Sequence, residues 1–121
     1  MHYTIKTTDF DMTPEISQYL EDKLEALDKY IDSTDPSIKC DVELGKTTEH
    51  HQSGDIFRAE INVLIGKKLF RAEAEEASMN AAIDNVKGEI SKQLKRNKGK
   101  RFALLKRGGE RIKNALKFGR G

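Results

Sequence analysis

The apolar residues of this chain change their spacing in its central region, and this change limits the fold more than any other feature. From Ile38 to Ala74 they mostly alternate with polar residues, as they do in strands with one buried face. From Met79 to Leu94 they recur every three or four residues, which is the spacing of an amphipathic helix. The pattern therefore predicts a sheet followed by a helix whose apolar stripe covers it.

The N-terminal third adds one strand and one helix. Residues 2–8 alternate in the same way and predict strand one. Thr13 can cap a helix, Pro14 suits its first position, and Glu15 meets the positive end of the dipole. Apolar residues then recur at helical spacing as far as Ile31. We expect helix one to begin at this cap and to end near residue 32, before the breakers of residues 33–37.

The alternating region divides into three strands. Strand two runs from Ile38 to Leu44, and the polar segment of residues 45–54 is expected to be a mobile hairpin loop. Strand three covers residues 57–65, Gly66-Lys67 offers a tight turn, and strand four follows through Phe70 and Ala74. The order β-α-β-β-β-α predicts an α+β two-layer sandwich, in which a four-stranded sheet carries both helices on one face. On its other face, Arg58 or Arg71 should pair with a glutamate.

Length and cysteine content indicate a single cytoplasmic domain. At 121 residues the chain is long enough to bury one hydrophobic core without disulfide bonds or a structural metal. Its one cysteine, Cys40, excludes an internal disulfide and points to a reducing compartment. No apolar run is long enough for a membrane span, and the acidic N-terminus does not resemble a signal peptide. We expect no membrane association.

Charge is distributed very unevenly along the chain. Residues 1–94 hold 11 Lys/Arg against 19 Asp/Glu, a net of −8, whereas residues 95–121 hold 11 Lys/Arg against one Glu, a net of +10. We therefore predict a folded domain over residues 1–98 and a basic, partly amphipathic tail over residues 99–121. Such a tail suits a polyanion, because cations that neutralise phosphates release condensed counterions. The alternatives are a solvated disordered tail, a tail packed on its own domain, or a membrane-surface segment.

Catalytic chemistry has little support in the sequence. His50-His51, with Glu49 and Asp55 nearby, lacks a third ligand at a recognisable metal spacing. Cys40 is expected to point into the core, and no serine occupies a nucleophile elbow. We predict no enzyme activity, no cofactor, no metal and no small-molecule substrate. An RNA-processing enzyme using His50, His51 and Asp55 is the distant alternative.

Several short segments, taken in order, resemble one known family. They are residues 23–30 (KLEALDKY), Gly45-Lys46-Thr47-Thr48 with His50-His51, residues 54–61 (GDIFRAEI), residues 71–74 (RAEA), and Met79 with residues 81–84 (AAID). Over about residues 1–98 the chain resembles the ribosome hibernation-promoting factors and ribosome-associated translation inhibitors. This resemblance implies the same β-α-β-β-β-α fold, one similar to double-stranded RNA-binding domains. It also implies a short form without the C-terminal dimerisation domain of longer members.

The resemblance implies a ribosome-binding translation inhibitor that acts in hibernation under stress. The implied partner is the small ribosomal subunit with its rRNA, and the implied binding site is the channel used by messenger and transfer RNA. Translation is blocked sterically, with no covalent step, and the protein is expected to be monomeric off the ribosome. The alternative is a general double-stranded RNA-binding module with a basic arm.

The predicted RNA-binding residues come from this resemblance and from the basic tail. The family's basic helix residues correspond here to Lys23, Lys29, Lys87, Lys92, Lys95, Arg96 and Lys98. The tail adds Lys100, Arg101, Lys106, Arg107 and Arg111. For each of these positions the alternative is an ordinary solvated cation, above all for Lys23 and Lys29, which lie among acidic residues. Asn80 stands where family members often carry an aromatic residue.

Overall fold

The computed structural model describes the backbone of residues 2–47 and 54–119, and the side chains of residues 2–47 and 54–100. The elements in chain order are β1 (His2–Thr8), α1 (Pro14–Glu25), a 3₁₀ helix (Asp28–Tyr30), β2 (Lys39–Thr47), β3 (Ile56–Ile65), β4 (Lys68–Glu76) and α2 (Met79–Gly119). The predicted order of strands and helices is confirmed.

The four strands form one mixed sheet in the order β1-β2-β3-β4. β1 runs parallel to β2, and the other two pairs are antiparallel. The register aligns Ile5 with Val42, Val42 with Ile61, and Ile61 with Ala72. One apolar row therefore crosses the sheet on the face that meets the helices. The predicted turn after β3 is present, and Gly66 takes a positive φ of 61° there, which glycine adopts without steric cost.

Both helices bury their apolar residues on that face in a single cluster. Leu20 and Leu24 of α1 are fully buried, and Leu27 joins them just beyond the helix. The predicted stripe of α2 is buried along its whole length: Met79, Ala82, Ile83, Val86, Ile90 and Leu94. Burying each large aliphatic side chain stabilises the fold by about 1.5–3 kcal/mol, so α2 is fixed in its rotation about its own axis.

Helix one is shorter than predicted. α1 begins as expected, with Thr13 Oγ1 accepting a hydrogen bond of 3.2 Å from the Ile16 amide, but it ends at Glu25 instead of near residue 32. The amides of Leu27, Tyr30 and Ile31 bond to carbonyls three residues earlier, so the chain tightens into 3₁₀ geometry. Leu27 stays in the core, which explains why its spacing looked helical.

Strand two is longer than predicted at its C-terminal end. Gly45 pairs with Arg58, Lys46 with Phe57 and Thr47 with Ile56, so the first three residues of the predicted loop belong to the sheet. Backbone pairing extends the ladder here although the residues do not alternate in polarity. Residues 48–53, the rest of the predicted mobile loop except Gly54, lie outside the described residues.

The helical backbone of α2 continues through the predicted boundary between residues 98 and 99. α2 spans 41 residues, from Met79 to Gly119, and Gly99 lies within it. The division into a domain of residues 1–98 and a tail of residues 99–121 stays a prediction. The side chains of residues 101–121 lie outside the described part of the chain.

The outer face of the sheet carries the predicted cross-strand ion pairs. Arg58 Nη2 lies 2.6 Å from a Glu73 oxygen and 2.8 Å from a Glu60 oxygen, and Arg71 Nε lies 3.3 Å from Glu60. The Asn62 amide donates a further hydrogen bond of 2.9 Å to Glu60. These carboxylates compensate the charges of both arginines locally.

Candidate nucleic-acid interface

The buried stripe of α2 determines where its cations lie. At about 100° per residue, Lys95 lies opposite the stripe, and the other basic residues flank it on two sides. Lys87 and Lys98 lie on the side of α1; with Lys23 and Lys29 they form what we call the α1 margin. Lys92, Arg96 and Lys100 lie on the side of the edge strand β4 and form the β4 margin.

The α1 margin contains a cluster that joins the two helices. The hydroxyl of Tyr19 donates a hydrogen bond to Asp84, and Lys23 Nζ lies 3.4 Å from the same carboxylate oxygen. The Tyr19 hydrogen bond, together with Lys23 and the charge of Lys87, lowers the pKa of Asp84. The same hydrogen bond raises the pKa of Tyr19. The charge of Lys23 is therefore partly neutralised, and this residue also connects α1 to α2.

Lys29 and Lys98 are directly linked on the same margin. Lys98 Nζ donates a hydrogen bond of 2.6 Å to the backbone carbonyl oxygen of Lys29. The ammonium group of Lys29 lies 5.1 Å from the centre of the Tyr30 ring, within the range of a cation–π contact. The two ammonium groups thus belong to one surface, and each is held by a local contact.

Lys95 and the cations of the β4 margin form few ion pairs with carboxylates among the described residues. Lys92 Nζ lies 3.4 Å from a Glu89 oxygen, in an exposed pair one helical turn apart. Lys95, Arg96 and Lys100 are exposed, and none forms an ion pair with a residue whose side chain the structure describes. Exposed pairs such as Lys92–Glu89 stabilise by only about 0–1 kcal/mol, so a phosphate can replace Glu89 at little cost.

Other predicted positions fall outside what the structure describes. The backbone of Arg101, Lys106, Arg107 and Arg111 is helical, but their side chains lie beyond the described ones. His50 and His51 lie outside the described residues altogether, while Asp55 pairs with Lys46 at 3.3 Å. Across residues 2–47 and 54–100, no three His, Cys, Asp or Glu side chains come together as a metal site. No helix within the described part of the chain is long and apolar enough to span a membrane.

Two residues near the interface were not identified from the sequence. Lys68 begins β4 and lies beside Arg96 and Lys100 around a recess, although it is distant from them in sequence. Asn97 follows the stripe of α2 and is 9% exposed. Helical spacing from Ile90 and Leu94 places residue 97 on the buried side, and this signal could have identified Asn97. Nothing in the sequence pointed to Lys68.

The sequence of this chain is similar to those of a known family and of two named relatives. Residues 3–101 match the model of a family described as "Sigma 54 modulation protein / S30EA ribosomal protein". Two relatives are each named "Ribosome hibernation promotion factor". The one from Deinococcus radiodurans is 29% identical over 97 residues, covering 79% of this chain and 48% of the relative. The one from Picosynechococcus is 29% identical over 102 residues, covering 84% of this chain and 51% of the relative. The chain thus spans about half the length of these relatives.

Solved structures show the same fold. The N-terminal domain of Thermus thermophilus Protein Y is 31% identical, with a TM-score of 0.64, and the match covers 79% of this chain and 98% of that domain. A ribosomal subunit interface protein from Coxiella burnetii has the same TM-score of 0.64, and the match covers 82% of this chain and 99% of that one. At 19% identity this likeness shows a shared fold only. Because the family model spans most of the sequence, this chain belongs to the Sigma 54 modulation protein / S30EA ribosomal protein family.

Proposed function

We propose that this protein binds the small ribosomal subunit and inhibits translation during hibernation by occupying the channel of messenger and transfer RNA. Family membership and two relatives named ribosome hibernation promotion factor support a ribosomal partner. The partner surface would be rRNA backbone, because shape and phosphate contacts are sufficient to recognise folded RNA. The inhibition would be steric and would need no catalytic group.

One observation carries this proposal. Lys95, Arg96 and Lys100 project from a helix whose inner face is locked into the core from Met79 to Leu94. Their charges are not neutralised by any described carboxylate, and the helix cannot rotate without exposing its apolar stripe. The cations are therefore presented at fixed positions, so binding phosphates requires little ordering of the backbone.

The α1 margin would have a second role in the same complex. On this margin the ammonium group of Lys23 is held by Asp84, and that of Lys98 by the carbonyl oxygen of Lys29. An RNA phosphate approaching this margin would meet these two donors already in place. We propose that this margin sets the orientation of the domain, whereas the uncompensated cations of α2 supply most of the affinity.

The test is co-sedimentation of the full chain with purified small subunits, with in vitro translation measured in parallel. The triple reversal Lys92→Glu, Lys95→Glu, Arg96→Glu should abolish binding and inhibition at moderate salt while leaving the far-UV circular dichroism unchanged. The matched control is Lys6→Glu, Lys39→Glu, Lys67→Glu, which changes the net charge equally at three exposed positions away from α2. This control should bind nearly as the unmodified protein does.

The salt dependence provides an independent measure of phosphate contacts. Neutralising several phosphates gives a steep fall of log affinity against log salt, and each lost contact lowers the slope by about 0.7–0.9. Substituting Lys95 and Arg96 by alanine should therefore reduce the slope by roughly 1.4–1.8. Binding that hardly responds to salt, or equal losses in the matched control, would refute the phosphate-contact account.

The alternative is a general double-stranded RNA-binding module. It is favoured by the same exposed cations, Lys95, Arg96 and Lys100, because contacts to an RNA backbone need no reading of bases. Competition separates the two functions, because an arbitrary RNA duplex should displace the protein from small subunits only if both bind with similar affinity. A preference for subunits of at least tenfold would support the ribosomal function.

A further inference from the structure

A recess of about 250 Å³ lies between the start of β4 and the β4 margin of α2. Three cations surround it, Lys68 from the strand and Arg96 and Lys100 from the helix. The apolar part of its lining comes from Leu69 and Phe70. Positive charge around a partly apolar hollow suits a ligand that carries both a phosphate and a flat apolar ring.

Asn97 is the residue that distinguishes this recess from an ordinary charged surface. Asn97 lines the recess and is 9% exposed. Its side chain makes no hydrogen bond to a residue that the structure describes, unlike those of Lys92, Gln93 and Lys98 around it. Its amide atoms still reach solvent, because among residues 2–47 and 54–100 the side-chain atom that is fully buried without a partner is Ser91 Oγ. The neighbouring Gln93 is different, because its amide nitrogen donates a hydrogen bond of 2.9 Å to the Arg71 carbonyl. The amide of Asn97 is thus available to a ligand.

Leu69 supplies the second unusual feature. It is 59% exposed and is the one large hydrophobic side chain exposed among residues 2–47 and 54–100. Lys68 Nζ lies 5.2 Å from the centre of the Phe70 ring, so the ring and the ammonium group are held beside each other. A planar base resting on Leu69 would bury apolar surface that is otherwise exposed to water.

We propose that this recess binds a single nucleotide, with its phosphate against Lys68, Arg96 and Lys100 and its base edge hydrogen-bonded to Asn97. An asparagine amide offers one donor and one acceptor side by side, which matches the donor and acceptor of an adenine edge. An adenine nucleotide is therefore the expected ligand. It can be an RNA nucleotide or a free nucleotide, and only the RNA source rests on the proposed ribosomal function.

The first experiment titrates AMP into the isotopically labelled full chain and follows amide signals by NMR. AMP should shift the side-chain amide signals of Asn97 and the backbone signals of residues 68–70. Inorganic phosphate alone should leave the Asn97 side-chain amide unshifted. An absence of shifts at millimolar AMP, or identical shifts with phosphate alone, would overturn the proposal, the latter because it would indicate an anion patch only.

Two variants and one control test the assignment. Asn97→Leu should weaken AMP binding at least tenfold, and Lys68→Gln should weaken it about threefold to tenfold. Lys67→Gln removes the same charge from the adjacent exposed residue, which does not line the recess, and should bind AMP as the unmodified chain does. Because Asn97→Leu alters a buried position, Lys68→Gln decides the outcome if that variant fails to fold. Unchanged AMP binding in Lys68→Gln would contradict the proposed site.

Co-sedimentation distinguishes the two sources. If Lys68→Gln weakens both AMP binding and binding to small subunits, the recess takes an RNA nucleotide. If it weakens AMP binding alone, the recess takes a free nucleotide. Should the unmodified chain fail to bind small subunits, the proposed function fails, but the AMP titration still decides whether the recess is a nucleotide site.

Discussion

The ammonium group of Lys98 lies 2.6 Å from the carbonyl oxygen of Lys29, a residue 69 positions earlier in the chain. This hydrogen bond ties α2 to the 3₁₀ helix that follows α1, and it satisfies a carbonyl near the end of that short helix. Lys98 therefore has a structural role within the free protein, whatever it contacts in a complex.

The first prediction tests that role. Lys98→Met should lower the free energy of unfolding by about 0.5–1.5 kcal/mol, because it removes a charge-assisted hydrogen bond. The value is modest because the bond is exposed to solvent. Lys95→Met, which removes the same charge from a position without described partners, should change stability by less than about 0.5 kcal/mol. Urea unfolding followed by circular dichroism measures both. Equal effects would show that the Lys98 contact does not stabilise the fold.

The second prediction concerns pH and Asp84. The hydrogen bond from Tyr19, aided by Lys23 and Lys87, lowers the folded pKa of Asp84 from its ordinary value of 3.8. A lowered folded pKa means that this cluster stabilises the fold above the unfolded pKa and loses its effect as pH falls through the folded pKa. Asp84→Asn should therefore be less stable than the unmodified protein at pH 7, and the difference should narrow below about pH 4. Urea unfolding between pH 7 and pH 3 provides the measurement.

Tyr19→Phe serves as the matched variant for Asp84. It removes the donor but keeps the ring beside Lys23, whose Nζ lies 5.1 Å from the ring centre. Its loss of stability should also be confined to the range in which Asp84 is ionised. A stability difference that grows as pH falls would contradict the direction of the Asp84 pKa shift.

The third prediction concerns the thiol of Cys40. Burial raises its pKa to about 12, and its side chain is 1% exposed on the inner face of β2. Because the thiolate is the reactive form, iodoacetamide should modify Cys40 at pH 8 far more slowly in the folded protein than in urea. Mass spectrometry of quenched samples measures the rate. Modification of the native protein at the rate of an unfolded peptide would show that the inner face of the sheet opens readily.

The fourth prediction tests the stripe of α2. Ile90 is fully buried, so Ile90→Ala should cost about 2–5 kcal/mol and Ile90→Asp should unfold the domain. Lys92→Ala, two residues further along the same helix, should change stability by less than about 0.5 kcal/mol because it is exposed. Thermal unfolding distinguishes them. A mild effect of Ile90→Asp would mean that α2 does not close the sandwich.

The spacing of apolar residues was sufficient to predict the sheet, the two helices and the buried stripe, because each of these buries one face. It failed where backbone hydrogen bonds decide the structure. Leu27 is buried at a spacing that fits either an α-helix or a 3₁₀ helix, so the end of α1 at Glu25 could not be located. Gly45 and Thr47 join β2 through their pairing with β3, and no alternation of polarity marks this extension.

The candidate interface was predictable only in part. Charge and family resemblance identified the cations of α2, but partners such as Asp84 for Lys23 depend on the packing of two helices distant in sequence. The recess also depends on a contact between distant parts of the sequence, because nearly the whole of β4 and the first part of α2 separate Lys68 from Arg96. Periodicity describes faces of single elements and carries no information about which edges meet.

The parallel pairing of β1 with β2 has a consequence for the order in which the fold is assembled. β2, β3 and β4 are joined by local connections, whereas β1 is separated from its partner by α1 and the 3₁₀ helix. Non-local contacts form late, since the loop must close before they contribute. β1 is therefore expected to join the sheet after β2, β3 and β4 have paired, and the inner-face residues Tyr3 and Ile5 stay exposed to water until it does.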